Sequence, residues 1–456
     1  MRIVFDRGTL LLEEVPPGLV LDDIPGVLWD PRVHAYRAPA RFFYALLAEL
    51  RRRGVPLPDR PLPKLAPPTG FRPVSLRPYQ EAALAAWRRA GRRGVVVLPT
   101  GSGKTRVALA AMARTATPAL CLVPTRALLD QWVEAILEIY DGAVGRYGDG
   151  ERTLGPITVA TYASGYRHMA RLGDHFGLLV VDEAHHFGRG WRDEALEMSI
   201  APLRLGLTAT PAPAKDENNR AAFLLGPVVF ELEVGDLPGF LAPLDRVTCR
   251  LRLDRDERDE YDRLCELYRG AYRAFLGNHL GADWEDFLRH AAHTDEGRRG
   301  IAAWRRARRL LAYPRSKQNA LAVLLSRHRA ERTLVFVADN ETAYAVAREH
   351  LIMPLTCEVS PRERQEVLAG FRSGRLRALV SAQVLNEGLD VPDADVGIIV
   401  AGRLGEREYV QRVGRLLRPR PDKRALLYEL VVEQSNEAWL AARRGQRHAG
   451  RGRSAA

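Results

Sequence analysis

A chain of 456 residues, 46% hydrophobic and 27% charged, is long enough for two to four domains of roughly 100–200 residues each. It has no run of about 18 uncharged apolar residues, and Met1-Arg2-Ile3-Val4-Phe5-Asp6 lacks the charged-then-apolar order of a signal peptide. No membrane span is expected, and the expected compartment is the cytoplasm, at the nucleoid in a prokaryote. The net charge of +12 suits a polyanionic partner. However, only five of the 68 basic residues are lysines (Lys64, Lys104, Lys215, Lys317, Lys423), and a GC-rich genome or life at high temperature gives the same arginine bias. Cys121, Cys249, Cys265 and Cys357 are scattered and form no CxxC pair, which argues against a zinc site, a disulfide framework or an iron–sulfur cluster.

Residues 1–55 read as a small α+β domain. Arg2–Glu13 alternates as a strand does, and Phe42, Phe43, Leu46, Leu47 and Leu50 lie at helical spacing. Residues 56–73 contain seven prolines and read as a semi-rigid linker, because proline supplies no amide hydrogen and resists helix and sheet. Across 74–240 the apolar runs Gly94–Leu98, Ala119–Val123, Ile157–Thr161 and Leu178–Val181 alternate with helical patterns. That order predicts a mostly parallel sheet covered on both faces. In a second α/β region, 241–442, the stretch 254–313 breaks the rhythm: Tyr261, Leu264, Leu267, Tyr268, Tyr272 and Phe275 keep helical spacing among dense charge, the pattern of a helical insertion. Strand–helix alternation resumes at Thr333–Val337 and continues through Ala378–Ser381, Val396–Val400 and Ala425–Leu430. Residues 443–456 form a basic, small-residue tail.

The most specific chemical signal is Pro99-Thr100-Gly101-Ser102-Gly103-Lys104-Thr105, which follows the apolar strand Val95–Leu98. Glycines let backbone amides close around phosphate oxygens, and a helix beginning at Thr105 would point its positive end at the same anion. Lys104 reaches the β/γ-phosphates of ATP in this reading, and the Thr105 hydroxyl reaches Mg²⁺. Leu98 stands where the general phosphate-loop pattern has glycine, so the match is to the shorter loop. A second apolar strand ends in Asp182-Glu183-Ala184-His185-His186. Strand ends of a parallel sheet line the ligand crevice. Asp182 there suits the metal, and Glu183 suits activation of the attacking water. A helix cap or solvated turn is the ordinary alternative for the two acids taken alone. His185 is a candidate for coupling the nucleotide to a nucleic-acid side. A zinc site at His185 and His186 is not expected, because neighbouring side chains point apart. Far along the chain, Gln411-Arg412-Val413-Gly414-Arg415-Leu416-Leu417-Arg418 puts Arg415 and Arg418 on one helical face. Two such guanidiniums suit arginine fingers on a transferring phosphoryl group; a solvated basic helix is the alternative.

With these three segments in this order, the chain resembles superfamily 2 helicases over about residues 75–430. Arg77 and Gln80, in Leu76-Arg77-Pro78-Tyr79-Gln80, resemble the adenine-reading element. Val123-Pro124-Thr125-Arg126 and Ala160-Thr161-Tyr162 resemble backbone-gripping motifs, and Thr208-Ala209-Thr210 the coupling motif. Thr333–Phe336 and Val384–Asp390, with Gly388 and Asp390, resemble second-domain motifs, and Gln411 opens the last one. Met198–Thr210, Asn386–Asp395 and Glu408–Arg412 further resemble the XPB family of repair and transcription helicases. The resemblance implies two RecA-like motor domains, a small damage-recognition-like domain at the N-terminus and a helical thumb. It also implies three-prime to five-prime movement on DNA driven by ATP and Mg²⁺, and a nuclease partner in repair. One departure stands out: the nearest candidate for the family's Arg-Glu-Asp element is the slightly displaced Lys215-Asp216-Glu217, and lysine lacks the planar fork of arginine. Strand separation through this element is therefore open. Three rival functions remain: an RNA helicase, a duplex translocase that never separates strands, or a nucleotide-gated scaffold that recruits a nuclease.

The N-terminal Trp29, Arg32, Tyr36, Arg37, Phe42 and Phe43 are candidates for probing distorted bases, with packing of the small core as the alternative. Arginines in 298–309 are candidates for the DNA backbone, with a solvated face as theirs.

Overall fold

The computed structural model describes residues 1–56, 64–188, 190–209, 220–232, 236, 244–279, 281–382, 394–401 and 425–438. They separate into two compact units, one up to residue 241 and one from 242.

The first unit begins with β1 (Arg2–Asp6) and β2 (Thr9–Glu13), followed by β3 (Leu28–Asp30), β4 (Ala35–Pro39) and α1 (Phe43–Arg52). The alternation in 2–13 is thus a hairpin and not one strand. Arg7 and Gly8 both take positive φ, so the chain reverses there and β2 pairs back on β1 from Ile3↔Leu12 to Asp6↔Thr9. The antiparallel sheet, in order β1-β2-β4-β3, buries Ile3, Leu10, Leu12, Phe43, Leu46 and Leu50 against α1.

The proline-rich segment is strapped to the next layer over its described part. Lys64 binds Asp174 at 2.7 Å, Arg72 N donates to Ile139 O at 2.7 Å, and the Phe71 and Tyr140 rings lie 5.0 Å apart. Residues 57–63 of that segment lie outside the described residues.

The main body of this unit follows: α2 (Pro78–Arg89), β5 (Arg93–Val97), α3 (Lys104–Thr115), β6 (Ala119–Val123), α4 (Arg126–Leu137), β7 (Val144–Gly148), β8 (Glu151–Thr153), β9 (Ile157–Thr161), α5 (Tyr162–Leu172), β10 (Leu178–Asp182), α6 (Glu194–Glu197), β11 (Leu203–Thr208), α7 (Arg220–Leu225) and β12 (Val228–Glu231). Its sheet runs β12-β5-β11-β10-β6-β9-β7-β8, parallel except for β8. The four apolar runs predicted as strands are β5, β6, β9 and β10. The central β11 was not among them, because Arg204 interrupts its apolar pattern. That side chain is fully buried and donates to three main-chain carbonyls: Ala201 O at 3.1 Å, Leu224 O at 2.7 Å and Ser199 O at 2.9 Å. Burial, then the charges of Arg93 and Arg41, pulls its pKa down to about 9.

The small N-terminal layer docks on this body at the end opposite the phosphate loop, where β10 and β11 begin. Ile200 lies in the small layer's own core. The Arg41 guanidinium lies 4.0 Å from the ring centres of both Phe42 and Phe223.

The second unit comprises β13 (Leu244–Leu251), α8 (Arg255–Asn278), α9 (Trp284–His290), α10 (Asp295–Ala312), α11 (Arg315–Arg327), β14 (Thr333–Phe336), α12 (Asn340–His350), β15 (Met353–Leu355), α13 (Pro361–Arg372), β16 (Ala378–Ser381), β17 (Val396–Ile399) and β18 (Ala425–Val432). Its sheet, β13-β18-β17-β14-β16-β15, is parallel throughout. The predicted insertion is the helical set α8–α10. Asp254 and Glu257 form a capping box on α8, and the Thr294 hydroxyl caps α10. Tyr261, Leu264, Ala303, Ala307 and Leu311 form a core between α8 and α10, and Phe287 of α9 packs with Ala271 and Phe275 in a second one. The α10 arginines are partly spent on the helices themselves. Arg306 pairs with Glu260 at 3.0 Å, Arg298 pairs with Asp295, and Arg308 stacks 4.9 Å over Trp304. Lys317, fully buried at the start of α11, ties this layer to the C-terminal segment. It donates to Leu311 O at 2.8 Å and to both Glu437 carboxylate oxygens at 2.9 and 2.8 Å.

Among the described residues no helix is long and apolar enough to cross a membrane.

Candidate active site

β11 lies between β5 and β10, with Thr208 opposite Val97 and Leu207 opposite Asp182. The carboxyl ends of these three strands therefore present the phosphate loop, Thr208 and the Asp182-Glu183 pair side by side along one sheet edge.

The loop turns on Gly101 (φ 85) and Gly103 (φ 79), conformations that a Cβ resists. Gly103 is the N-cap of α3, which begins at Lys104, one residue before the expected Thr105, and no side chain caps it. Lys104 Nζ donates to Leu98 O at 3.3 Å, and Thr105 stands in the first helical turn. Ser102 is buried, its hydroxyl donating to Pro99 O at 2.6 Å. Thr100 Oγ1 is buried without a hydrogen-bond partner.

Gln80 is 2% exposed and braces the loop. Its Nε2 donates to Ser102 O at 2.7 Å, and its Oε1 accepts from Arg77 N at 2.9 Å. Tyr79 OH reaches the same Ser102 carbonyl at 2.7 Å. In this structure the Gln80 amide is therefore engaged with the loop itself.

Asp182 is buried at the end of β10. Its Oδ2 accepts from Trp132 Nε1 at 2.9 Å, and its Oδ1 accepts from Glu183 N at 3.0 Å. Burial and then the neighbouring Glu183 charge push the Asp182 carboxyl above the usual carboxylate range. Burial opposes ionisation of Glu183 as well, but the His185 ring and the Lys104 charge outweigh it and hold that carboxyl below its ordinary value. Glu183 Oε2 lacks a hydrogen-bond partner and lies 3.4 Å from His185 Nδ1. That nitrogen also stands 3.0 Å from Thr208 Oγ1. The uncapped α3 start and the Lys104 charge fit phosphate, and the Thr100 and Glu183 oxygens without a hydrogen bond leave acceptors for a divalent cation carried by it.

The expected divergence of His185 and His186 is not observed: their ring centres lie 4.3 Å apart. Both sit in one short helical turn, Ala184–His186. Among the described residues no group of three or more potential ligands could hold a metal on its own.

Thr125 and Thr161 are the N-caps of α4 and α5, accepting from Leu128 N and Ser164 N, both at 3.3 Å. Thr161 also donates to Ser164 Oγ at 3.1 Å. The two threonines mark helix starts at the same sheet edge. In the small N-terminal layer, Phe43 is core and Phe42 packs toward Phe223. Trp29 is half exposed and edge-on to Tyr36 at 5.1 Å. Arg32 and Arg37 pair with Asp30 at 2.8 and 3.2 Å.

Thr210, Lys215, Asp216, Glu217, Gly388, Asp390, Gln411, Arg415 and Arg418 lie outside the described residues. Sequence reasoning missed Trp132 as a partner of Asp182 and Tyr162 as more than a motif member. The signal was there in kind: aromatics with polar tips on the buried faces of helices need a buried acceptor.

Three family models match in chain order. They are the xeroderma pigmentosum group B helicase damage recognition domain over residues 3–60, the res subunit of type III restriction enzymes over 73–213, and the helicase conserved C-terminal domain over 316–420. The "DNA 3'-5' translocase XPB2" of Sulfurisphaera tokodaii is 33% identical over 94% of this chain and 98% of its own length. The chain belongs to the XPB family. Within it, the "DNA 3'-5' helicase XPB" of Kineococcus radiotolerans is 29% identical over 81% of this chain and 62% of its own. The XPB subunit of general transcription and DNA repair factor IIH from Antonospora locustae is 26% identical over 82% and 53%. This XPB-type chain thus spans nearly all of the first relative and between half and two thirds of the other two. The Hef helicase domain of Pyrococcus furiosus matches in fold, with a TM-score of 0.53 at 20% identity over 81% of this chain and 98% of that one. The chain is therefore an XPB-type superfamily 2 helicase, and membership implies ATP-dependent activity.

Proposed function

We propose that the chain hydrolyses Mg·ATP to move three-prime to five-prime along DNA, as a helicase or translocase of nucleotide excision repair. The observation that carries this reading is the single sheet edge shared by the Lys104 loop, Thr208 and the Asp182-Glu183 pair. Lys104 and the amides at the start of α3 bind and orient the phosphates. Thr105 and Asp182 hold the cation, which when bound withdraws charge from the phosphate oxygens. Glu183, anionic beside His185 and Lys104, accepts a hydrogen bond from the attacking water and orients it. Arg415 and Arg418 neutralise charge on the transferring phosphoryl group, on the strength of the family resemblance. Gly388, Asp390, Gln411 and Thr210 take their roles on the same ground. The helix starts at Thr125 and Thr161 supply backbone contacts, which makes binding salt-sensitive and indifferent to sequence. The relatives' names support direction and substrate. The net charge of +12 suits a nucleic-acid partner. A nuclease partner follows from the resemblance alone.

The test is strand separation on a forked DNA with Mg·ATP, beside ATP turnover on the same DNA and on RNA. ATP-dependent separation supports a helicase and shows that Lys215-Asp216-Glu217 serves in place of Arg-Glu-Asp. Turnover on DNA without separation leaves a translocase. Turnover stimulated only by RNA, or absent altogether, overturns the proposal.

A further inference from the structure

The two acids at the end of β10 are held from outside their own strand by two aromatic side chains. Trp132, in the second turn of α4, is 2% exposed, and its indole donates to Asp182 Oδ2 at 2.9 Å. Tyr162, the first residue of α5, is 4% exposed. Its hydroxyl hydrogen is shared between the main-chain oxygens of Asp182 and Glu183, the second at 3.2 Å. Its ring is locked edge-on against Phe187 at 4.8 Å and His186 at 6.0 Å.

Glu183 sits between those two carbonyls in the left-handed region, at φ 50 and ψ 49, a conformation that costs a residue with a Cβ about 1–2 kcal/mol. Its φ and ψ are the relative rotation of the two peptide planes to which the Tyr162 hydroxyl is bound. Tyr162 therefore clamps the backbone that aims the Glu183 carboxylate, and Trp132 fixes the rotation of the Asp182 carboxylate. The helices carrying these donors, α4 and α5, are the two whose N-caps are Thr125 and Thr161.

We propose that Trp132 and Tyr162 are positioning residues through which a phosphodiester backbone engaged at the starts of α4 and α5 re-aims Asp182 and Glu183 for hydrolysis. This rests on the assignment of those helix starts to the DNA grip. A hydrogen bond weakens steeply once it is stretched or bent. Helix shifts of about 1–2 Å, the usual scale of such transitions, therefore either drag the acids along or break the bonds. In each helix the grip and the donor share one rigid element, so displacement at the cap reaches the acid without passing through a loop. The His185–Thr208 contact runs to β11 and is a separate connection.

The experiment uses the full chain with Trp132→Phe, Tyr162→Phe and both together. Tyr162→Phe keeps the ring and removes only the hydroxyl, whereas Trp132→Phe keeps an aromatic ring and loses the pyrrole part of the indole together with its donor. ATP turnover is measured without DNA and with saturating single-stranded DNA. The expected result is a fall of about tenfold in the ratio of stimulated to basal turnover for each variant, the scale of one hydrogen bond to a charged or strained acceptor. KM for ATP should stay within about twofold of wild type. Equal falls in both rates, with the ratio kept, mean that the aromatics only support the fold, and overturn the proposal.

A second readout does not depend on how Tyr162→Phe folds. The Trp132 emission, taken as wild type minus Trp132→Phe, should change when DNA is added without nucleotide. An unchanged emission overturns the proposal too. A wild type that DNA does not stimulate at all removes the DNA assignment and the relay with it. A stimulated wild type with stimulated variants removes the relay alone.

Discussion

Replacing Gly103 by alanine tests whether Gln80 sets the shape of the phosphate loop. Gly103 has φ +79, and a Cβ built on it lies 2.6 Å from Gln80 Nε2. The left-handed backbone alone costs alanine about 1–2 kcal/mol. The overlap forces Gln80 aside, so Ser102 O loses its 2.7 Å donor and keeps only Tyr79 OH. One neutral hydrogen bond adds about 1 kcal/mol. The sum, about 2–3 kcal/mol, acts against the loop conformation seen here. The free protein can relax the loop, but a bound triphosphate needs it in place. The cost therefore falls on nucleotide binding: KM for ATP should rise about 30- to 150-fold, with kcat changed by less than about threefold. The assay is DNA-stimulated ATP turnover over a wide ATP range, with a melting curve to show an intact fold. Since Gln80 and Gly103 crowd each other, the double variant with Gln80→Ala should be better than the two single effects summed, by about 1 kcal/mol. A KM within about threefold of wild type for Gly103→Ala, or strictly additive effects, refutes the reasoning.

Lys104→Ala should abolish ATP turnover while shifting the melting temperature by less than about 3 °C, because its ammonium makes one 3.3 Å contact to Leu98 O; retained turnover would remove the assigned phosphate site. Glu183→Gln should lower turnover by about a thousandfold while leaving nucleotide binding measurable by fluorescence titration; a loss of binding instead would make Glu183 a ligand rather than a base. Arg204→Met strips donors from Ser199 O, Ala201 O and Leu224 O. It should cost the first unit about 3–5 kcal/mol, read by calorimetry as a fall of about 6–20 °C in its transition; a shift near zero would mean that the carbonyls find other donors. Lys317→Met leaves Glu437 without its cation and should cost the second unit about 3 kcal/mol in urea unfolding. Adding Glu437→Leu should restore most of that, and a double variant as weak as the single would refute the ion-pair account.

The sequence alone determined the elements whose signal is local. Val95–Leu98, Ala119–Val123, Ile157–Thr161 and Leu178–Val181 read as buried strands because each is a short, nearly unbroken apolar run. The Gly101–Lys104 loop was legible because only glycine tolerates its backbone, and α8–α10 because their apolar spacing persists for several turns. Other features depended on partners distant in the chain. β11 was hidden by Arg204, whose burial makes sense only once Ser199, Ala201 and Leu224 supply their carbonyls. The hairpin at Arg7-Gly8 read as one strand, since period-two alternation looks the same before and after a tight reversal. Gln80 resembled a base reader, and its contact with Ser102 O, 22 residues along the chain, is one that no local pattern announces. Trp132 and Tyr162 lie 50 and 20 residues before Asp182, a separation across which no sequence pattern shows a hydrogen bond. Asp182 and Glu183 were readable as acids at a strand end. Their unequal hold on protons was not, because burial, the Lys104 charge and the His185 ring act through space, and only the tertiary structure sets those distances.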